Sequence, residues 1–495
     1  MLFTDPVFIF GFLPAALVLY FLTRHTLGGR AAIWFLVLAS AGFYGYWSIK
    51  YLTLLLAQIL FNYYLAKALL RSPRRALLWF AIGVNLALLG YFKYRNFFLE
   101  NLEALSGWQF HLEALFVPLG ISFHTFQQIT YLTDVADGEE DEVPPLPQYI
   151  LFVMFFPQLI AGPIVLHREM GRQLAALARN EWLTKATFGP GFVIFCFGLF
   201  KKVCLADNLA SFVDTVFVWP QPLQFLEAWC GAVGYALQLF FDFSGYSDMA
   251  VGLGLMFGFV LPFNFNVPFA ATSMTEYWKR WHITMTRFFT MYCYTPVSLA
   301  AHRMLADRDI RGVRAFLFGI AWPTLLTFLA SGLWHGAGWT FIVFGLVNAI
   351  GLMINHAWRE AKLPHLPKPL AWLATALTIL VSLVYFRAGS MAQADSILRL
   401  MFFPDHIALP LWADGLAAHL GLPVAFFEVF QAANFTAHYV CLLVLLAPLA
   451  VLLPNPAMEP FKFTPSLRTA FAVAVMVWVT LGWLGEPRTF LYFQF

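Results

Sequence analysis

The sequence predicts an all-α, polytopic membrane protein, and three observations predict it. Hydrophobic residues make up 60% of the 495-residue chain and charged residues 12%, where soluble domains run at roughly 45–50% and about 25%. Mean hydropathy is +0.71. The apolar residues fall in long runs, not in the short alternating segments of a membrane β-barrel. A spanning helix takes about 20 residues, so the runs amount to roughly 11–13 membrane segments. No fixed-period repeat and no soluble stretch interrupts them, so residues 1–495 are expected to form a single membrane-embedded body.

Taken in order, the first half offers spans at residues 7–22, 31–47, 52–70 and 76–92. Residues 7–22 lack a basic lead and a small-residue cleavage site, so they read as a retained span and not a signal peptide. Arg24, Arg30, Arg71, Arg74 and Arg75 follow the first and third spans; Lys50, Lys93 and Arg95 follow the second and fourth. The positive-inside rule then places the N-terminus outside the cytoplasm. Residues 117–128 are apolar but broken by Pro118 and Gly120, which suits a re-entrant or broken helix more than a clean span. Residues 134–147 form an acidic, Pro-rich loop, residues 149–165 an apolar segment bent by Pro157 and Pro163, and residues 168–185 an interfacial helix.

Residues 188–205 make another span and 219–224 a turn with two prolines. Residues 225–243 and 249–261 are apolar segments on either side of a polar knot at 241–248. Residues 275–294 are amphipathic and rich in Trp and Arg, and 303–314 is the most charged loop. Two spans flank His335, residues 370–385 add another, 386–434 are mixed, and 439–453 and 469–484 close the chain.

Composition excludes some functions. A net charge of +3 with no Lys/Arg block gives no nucleic-acid signal. The five cysteines are scattered without a Cys-x-x-Cys pair, so neither a disulfide framework nor a metal site is expected. There is no Gly-x-Ser-x-Gly elbow, no Walker A loop and no His-Glu-x-x-His motif. The histidines outside the motifs, His111 and His406 among them, show no ligand spacing.

The informative residues are polar ones at membrane depth or at the interface. His335 lies in Ser331-Gly332-Leu333-Trp334-His335-Gly336-Ala337-Gly338, between apolar runs. Lipid gives an imidazole no hydrogen-bond partner, so a histidine there is costly. Gly336 and Gly338 leave room beside it. A neutral imidazole can take the proton from a hydroxyl attacking an acyl carbonyl, which is general-base catalysis. A satisfied core histidine is the alternative. Asp242, Ser244, Tyr246, Ser247 and Asp248 either line a polar pocket or cap a helix starting at Met249. Helical spacing puts Trp278 and His282 on one face. Lys279, Arg280 and Arg287 can meet the phosphates of a nucleotide-bearing donor, or serve as ordinary interfacial anchors. His124 is a candidate third pocket residue. Polar groups at depth also mark transporter paths, but no inverted repeat is visible.

These stretches carry a resemblance. Tyr91-Phe92-Lys93-Tyr94, Pro118-Leu119-Gly120-Ile121-Ser122-Phe123, Phe156-Pro157-Gln158-Leu159-Ile160-Ala161-Gly162-Pro163 and Phe241-Asp242-Phe243-Ser244-Gly245-Tyr246-Ser247-Asp248-Met249-Ala250 belong to it. So do Asn264-Phe265-Asn266-Val267-Pro268, Thr275-Glu276-Tyr277-Trp278-Lys279-Arg280-Trp281-His282, Gly332-Leu333-Trp334-His335-Gly336-Ala337 and the tail Leu491-Tyr492-Phe493-Gln494-Phe495. The sequence resembles the membrane-bound O-acyltransferase family, in its bacterial alginate-type polysaccharide O-acetyltransferase branch, with a motif core at about 117–357.

The resemblance implies a ring of re-entrant, interfacial and spanning helices around a tunnel in the bacterial inner membrane. It implies acetyl-CoA as acyl donor from the cytoplasmic side, with no bound cofactor. A periplasmic SGNH-type partner, working with polysaccharide synthesis and export machinery, would place the acetyl group on polymer hydroxyls. His335 matches the catalytic histidine and His282 a second histidine on a tunnel-lining helix. Asp248, Asn264, Asn266, Trp278, Lys279, Arg280 and Trp334 are the expected substrate-binding residues. One stretch departs. Alginate-type members continue past the second histidine with Arg-Asp-Tyr-Leu-Tyr and a Gly-Gly-Asn-Arg loop, whereas residues 288–303 here lack both. The acceptor is therefore open between an alginate-like polymer, another exopolysaccharide such as cellulose, peptidoglycan and a D-alanylated teichoic acid.

Overall fold

Helices account for nearly all the secondary structure of the computed structural model. It describes all residues except 111–114, 182–186, 219–222, 405–407, 411–418, 420–424, 428–436, 454, 459–465, 485–489 and 492–495. Residues 219–222 of the expected turn at 219–224, His111, His406 and the last four residues of the family-like tail thus lie outside the described residues. Among the described residues, seven helices are long and apolar enough to cross a membrane: Val7–Leu27, Ile49–Arg71, Arg75–Lys93, Phe188–Val218, Gly312–His335, Trp339–Glu360 and Lys368–Arg387. Gly29–Gly45, Tyr439–Leu452 and Leu467–Trp483 are shorter apolar helices. Two three-residue strands, Ala408–Pro410 and Ala425–Phe427, pair in parallel. The protein is a polytopic all-α membrane protein. The apolar stretch 149–165 does not form one span: its helices are Leu146–Met154 and Phe156–Leu159, both too short to cross a membrane.

The chain forms two compact units. One comprises Met1–Phe200, Gly245–Phe263 and Pro456–Gln494. Its helix Ile121–Ala136 starts after Gly120, which adopts φ 69°, so Pro118 and Gly120 precede this helix and do not break it. The helix is buried on almost every face, His124 included. Burying polar side chains in a membrane body requires partners, and amides supply them here. Asn62 Nδ2 donates to Asn85 Oδ1 at 3.0 Å and to Gln128 Oε1 at 2.9 Å. Asn85 returns a bond to Asn62 Oδ1 at 2.7 Å, and Gln58 Nε2 donates to Asn85 Oδ1 at 2.8 Å and to Thr125 Oγ1 at 3.2 Å. This network ties Ile49–Arg71, Arg75–Lys93 and Ile121–Ala136 together. The expected interfacial helix is His167–Ala178; it buries Met170, Leu174 and Leu177 and exposes Arg168 and Arg172.

The other unit comprises Lys201–Ser244 and Asn264–Asn455. The polar knot at 241–248 does not divide two segments: Phe225–Met256 is one 32-residue helix, so Ser247 and Asp248 cap nothing. The helix can run through because Asp242 is neutralised where it is buried. Lys202 Nζ lies 2.6 Å from Asp242 and 2.6 Å from Asp207. Within this unit Trp322–His335 and Trp339–Glu360 pack as a hairpin of helices. The approach is backbone-close. A methyl group on Gly332 would lie 2.3 Å from the Phe341 carbonyl oxygen, and one on Gly345 would lie 2.4 Å from that of Phe328. Small residues permit such contact where lipid supplies no hydrophobic drive between helices.

Candidate active site

The site is built on a break in a helix. The sequence suggests one amphipathic run over 275–294, with Trp278 and His282 a helical turn apart. The structure instead ends one helix at Met274–Arg280 and begins another at Ile283–Phe289. His282 is the junction, with φ 41° and ψ 56°. The segment 264–266 imposes the break by taking the backbone bonds a continuous helix would have used. Asn266 N–H donates to Arg280 O at 2.9 Å, and Ile283 N–H donates to Asn264 O at 2.9 Å. Val267 is also left-handed, at φ 46°. Such conformations cost on the order of 1–3 kcal/mol each for non-glycine residues and cluster at functional sites.

The Asn264 side chain holds the second helix by its start. Its Oδ1 accepts from Thr284 N–H at 3.1 Å and from Thr284 Oγ1 at 2.9 Å, and lies 3.2 Å from His282 Nδ1. His282 is 0% exposed. Its ring meets Phe243 edge-on at 4.6 Å, Phe265 at 6.4 Å and Trp334 at 6.0 Å between centroids. Burial lowers the His282 pKa from 6.5 to about 3, which keeps the ring neutral.

His335 ends the helix Trp322–His335 and is 5% exposed. Rings packed on it include Trp334 at 4.7 Å, Phe386 at 5.0 Å and Phe344 at 5.6 Å. Trp334 therefore contacts both histidines. Around them, Trp278 Nε1, Asn264 Nδ2 and Ser331 Oγ are buried without a hydrogen-bond partner among the described residues. A buried unsatisfied group costs about 1–3 kcal/mol, so each of these three atoms calls for a polar partner.

The remaining expected site residues are placed as follows. Trp278 is buried, packing on Phe328 at 5.1 Å. Lys279 is exposed. Arg280 is half-buried and bound to Glu276 at 2.6 Å. Burial alone would raise the Glu276 carboxyl, but bonds from Thr272 and the Arg280 guanidinium outweigh it and hold the pKa below the usual range. Asn266 is half-buried; its N–H donates to Arg280 O at 2.9 Å and its carbonyl oxygen accepts from Arg280 Nη1 at 3.5 Å. Asp248 is buried in the Gly245–Met256 portion of the long helix, which belongs to the first unit. Gly336 does not open space beside His335: a methyl group there would lie 2.1 Å from the Phe341 ring. At Gly338 the nearest atom to such a methyl is 3.5 Å away.

Sequence reasoning missed Phe344, Phe386, Ser331 and Thr284. Phe386 arrives from the helix Lys368–Arg387, and no local pattern ties it to His335. Ser331 lies one helical turn before His335, a spacing that was readable.

The family model for membrane-bound O-acyltransferases matches residues 43–392, a span holding His282, His335 and the rings described above as packed on them. A peptidoglycan O-acetyltransferase of Helicobacter pylori is 40% identical, over 83% of this chain and 81% of its own. A probable alginate O-acetylase of Azotobacter vinelandii is 38% identical, over 81% of this chain and 78% of its own. Its counterpart in Pseudomonas aeruginosa is 37% identical, over 81% and 75%. With two buried histidines sharing one tryptophan wall inside the matched span, the chain belongs to the membrane-bound O-acyltransferase family and is an O-acyltransferase.

Proposed function

We propose that this enzyme moves an acetyl group from cytoplasmic acetyl-CoA across the bacterial inner membrane for O-acetylation of a cell-envelope polysaccharide. In this reading a periplasmic SGNH-type partner makes the final transfer, a tunnel through a ring of helices is the route, and the N-terminus is periplasmic. The observation that carries it is the shared Trp334 wall: His335 and His282 are both buried and both pack on that one ring.

His335 is the general base. A hydroxyl oxygen attacks the thioester carbonyl while the imidazole takes the hydroxyl proton. The C–S bond breaks, an ester forms, and the proton passes to the leaving thiolate. Such a base contributes typically about 10²–10⁴-fold. Lys279, exposed on the helix leading to His282, is available to the donor's phosphates, and Arg280 would share itself with Glu276. Trp278 Nε1 and Ser331 Oγ would bond the polar atoms of the donor's arm.

Two acceptors fit. An exported polysaccharide agrees with the relatives named alginate O-acetylase. Peptidoglycan is favoured by the 40% identical relative named for it and by the missing Arg-Asp and Gly-Gly-Asn-Arg stretch after His282. Base-released acetate, measured separately on purified sacculi and on secreted polymer from cells with and without this protein, decides between them. The His335→Ala variant should insert normally and leave both fractions without the added acetate. Unchanged acetate in that variant would overturn the assignment.

A further inference from the structure

We infer that Asn264 is a positioning residue, which fixes His282 in the tautomer protonated on Nδ1 and so leaves the lone pair on Nε2. This inference rests on the reading that His282 serves acyl transfer, and it replaces the expectation that Asn264 only binds substrate.

The assignment follows from donor and acceptor chemistry. Asn264 presents one carboxamide atom to three neighbours: Thr284 N–H at 3.1 Å, Thr284 Oγ1 at 2.9 Å and His282 Nδ1 at 3.2 Å. A backbone N–H can only donate, so the atom facing it is the oxygen and not the NH₂ group. A carboxamide oxygen has no proton to give. The hydrogen bond to His282 therefore exists only if Nδ1 carries the proton. In the neutral ring, Nε2 is then the sole basic nitrogen. Burial, which disfavours imidazolium, supports the neutral form.

The backbone makes this arrangement rigid. The left-handed His282 places its own ring nitrogen and the Thr284 N–H on the same oxygen. The pairings Asn266–Arg280 and Asn264–Ile283 fix the two segments on either side. Phe243 packs edge-on against the ring at 4.6 Å. Three acceptor contacts on one oxygen exceed what helix capping alone needs, since Thr284 N–H would satisfy the cap. The third contact selects a tautomer.

The test reads the tautomer directly. Full-length protein labelled with ¹⁵N-histidine is reconstituted in lipid, and its ¹⁵N spectrum is compared with that of His282→Gln to isolate the His282 signals. The expected result is a protonated Nδ1 and an unprotonated Nε2. The opposite tautomer in the wild type overturns the inference, and that measurement needs no Asn264 variant to fold. Asn264→Leu should lose the preference and lower kcat of CoA release from acetyl-CoA by roughly 10²-fold or more, with KM nearly unchanged. Asn264→Asp keeps an acceptor at the same place, so it should retain the Nδ1-protonated form and recover part of kcat. A rise in KM with kcat intact in Asn264→Leu would mark a substrate-binding residue and overturn the positioning role. If His335→Ala keeps full activity the proposed function fails, while the tautomer result stands or falls by its own spectrum.

Discussion

Lys202 and Asp242 meet at 2.6 Å with side chains only 3% and 2% exposed. The pair joins the span Phe188–Val218 to the long helix Phe225–Met256. Asp207 adds a second carboxylate at 2.6 Å from the same ammonium. Removing one partner of a buried ion pair typically costs about 3–5 kcal/mol, because the other charge stays buried.

Lys202→Met should therefore be strongly destabilising, since it removes the cation that two carboxylates face. Asp242→Asn should cost less, because Lys202 keeps Asp207. Thermal unfolding of both variants in the same detergent checks the order. Equal midpoints for the two variants would mean that the Asp242 contact is all that matters.

The amide network in the other unit gives a second stability prediction. Asn62 bonds Asn85 and Gln128 while its own Oδ1 accepts from Asn85. Asn62→Leu leaves buried donors and acceptors on both partners, each costing about 1–3 kcal/mol. The variant should melt earlier than wild type, while Leu60→Ala, at an exposed position one helix face away, should move the midpoint little.

How much of this was legible in the sequence depends on how local the cause is. The helical membrane class was, because hydropathy is a property of runs. His335 stood out because a polar residue between apolar runs is expensive wherever it lies, and His282 because helical spacing set it on one face with Trp278. The continuous helix Phe225–Met256 was not legible: what lets Asp242 sit inside it is Lys202, 40 residues earlier. The break at His282 was hidden for the same reason. Residues 275–294 look helical until Asn264 and Asn266 take the backbone groups on either side of the junction. Phe386 closes on His335 from a helix beginning over 30 residues later, and nothing near it in sequence says so.

The glycines near His335 differ in what they do, and substitution separates them. Gly336 lies against the Phe341 ring, whereas a methyl group on Gly338 would make only ordinary van der Waals contact, at 3.5 Å, on an extended backbone that any residue adopts. Gly336→Ala should force that ring aside, at a cost of about 1–3 kcal/mol, and disturb Phe386, which packs on both Phe341 and His335. Gly338→Ala should change the unfolding midpoint and the rate of acyl transfer very little. A neutral Gly336→Ala would show that Phe341 is free to move.

Trp334 should matter to rate more than to stability. Its ring is the surface common to His282, at 6.0 Å, and His335, at 4.7 Å. Phe289 packs on its other side at 6.3 Å, so a smaller ring still finds an apolar bed. Trp334→Phe keeps an aromatic wall and should retain most of kcat. Trp334→Leu removes the flat face against which both imidazoles are held, so it should lower kcat by roughly 10-fold or more, as loss of orientation does when a reacting group drifts. CoA release from acetyl-CoA by the reconstituted variants measures this, with thermal midpoints taken alongside. If Trp334→Leu lowers the midpoint and the rate in the same proportion as Asn62→Leu does, the ring is packing alone. If the rate falls while the midpoint holds, Trp334 is the part of the site that keeps the two histidines in register.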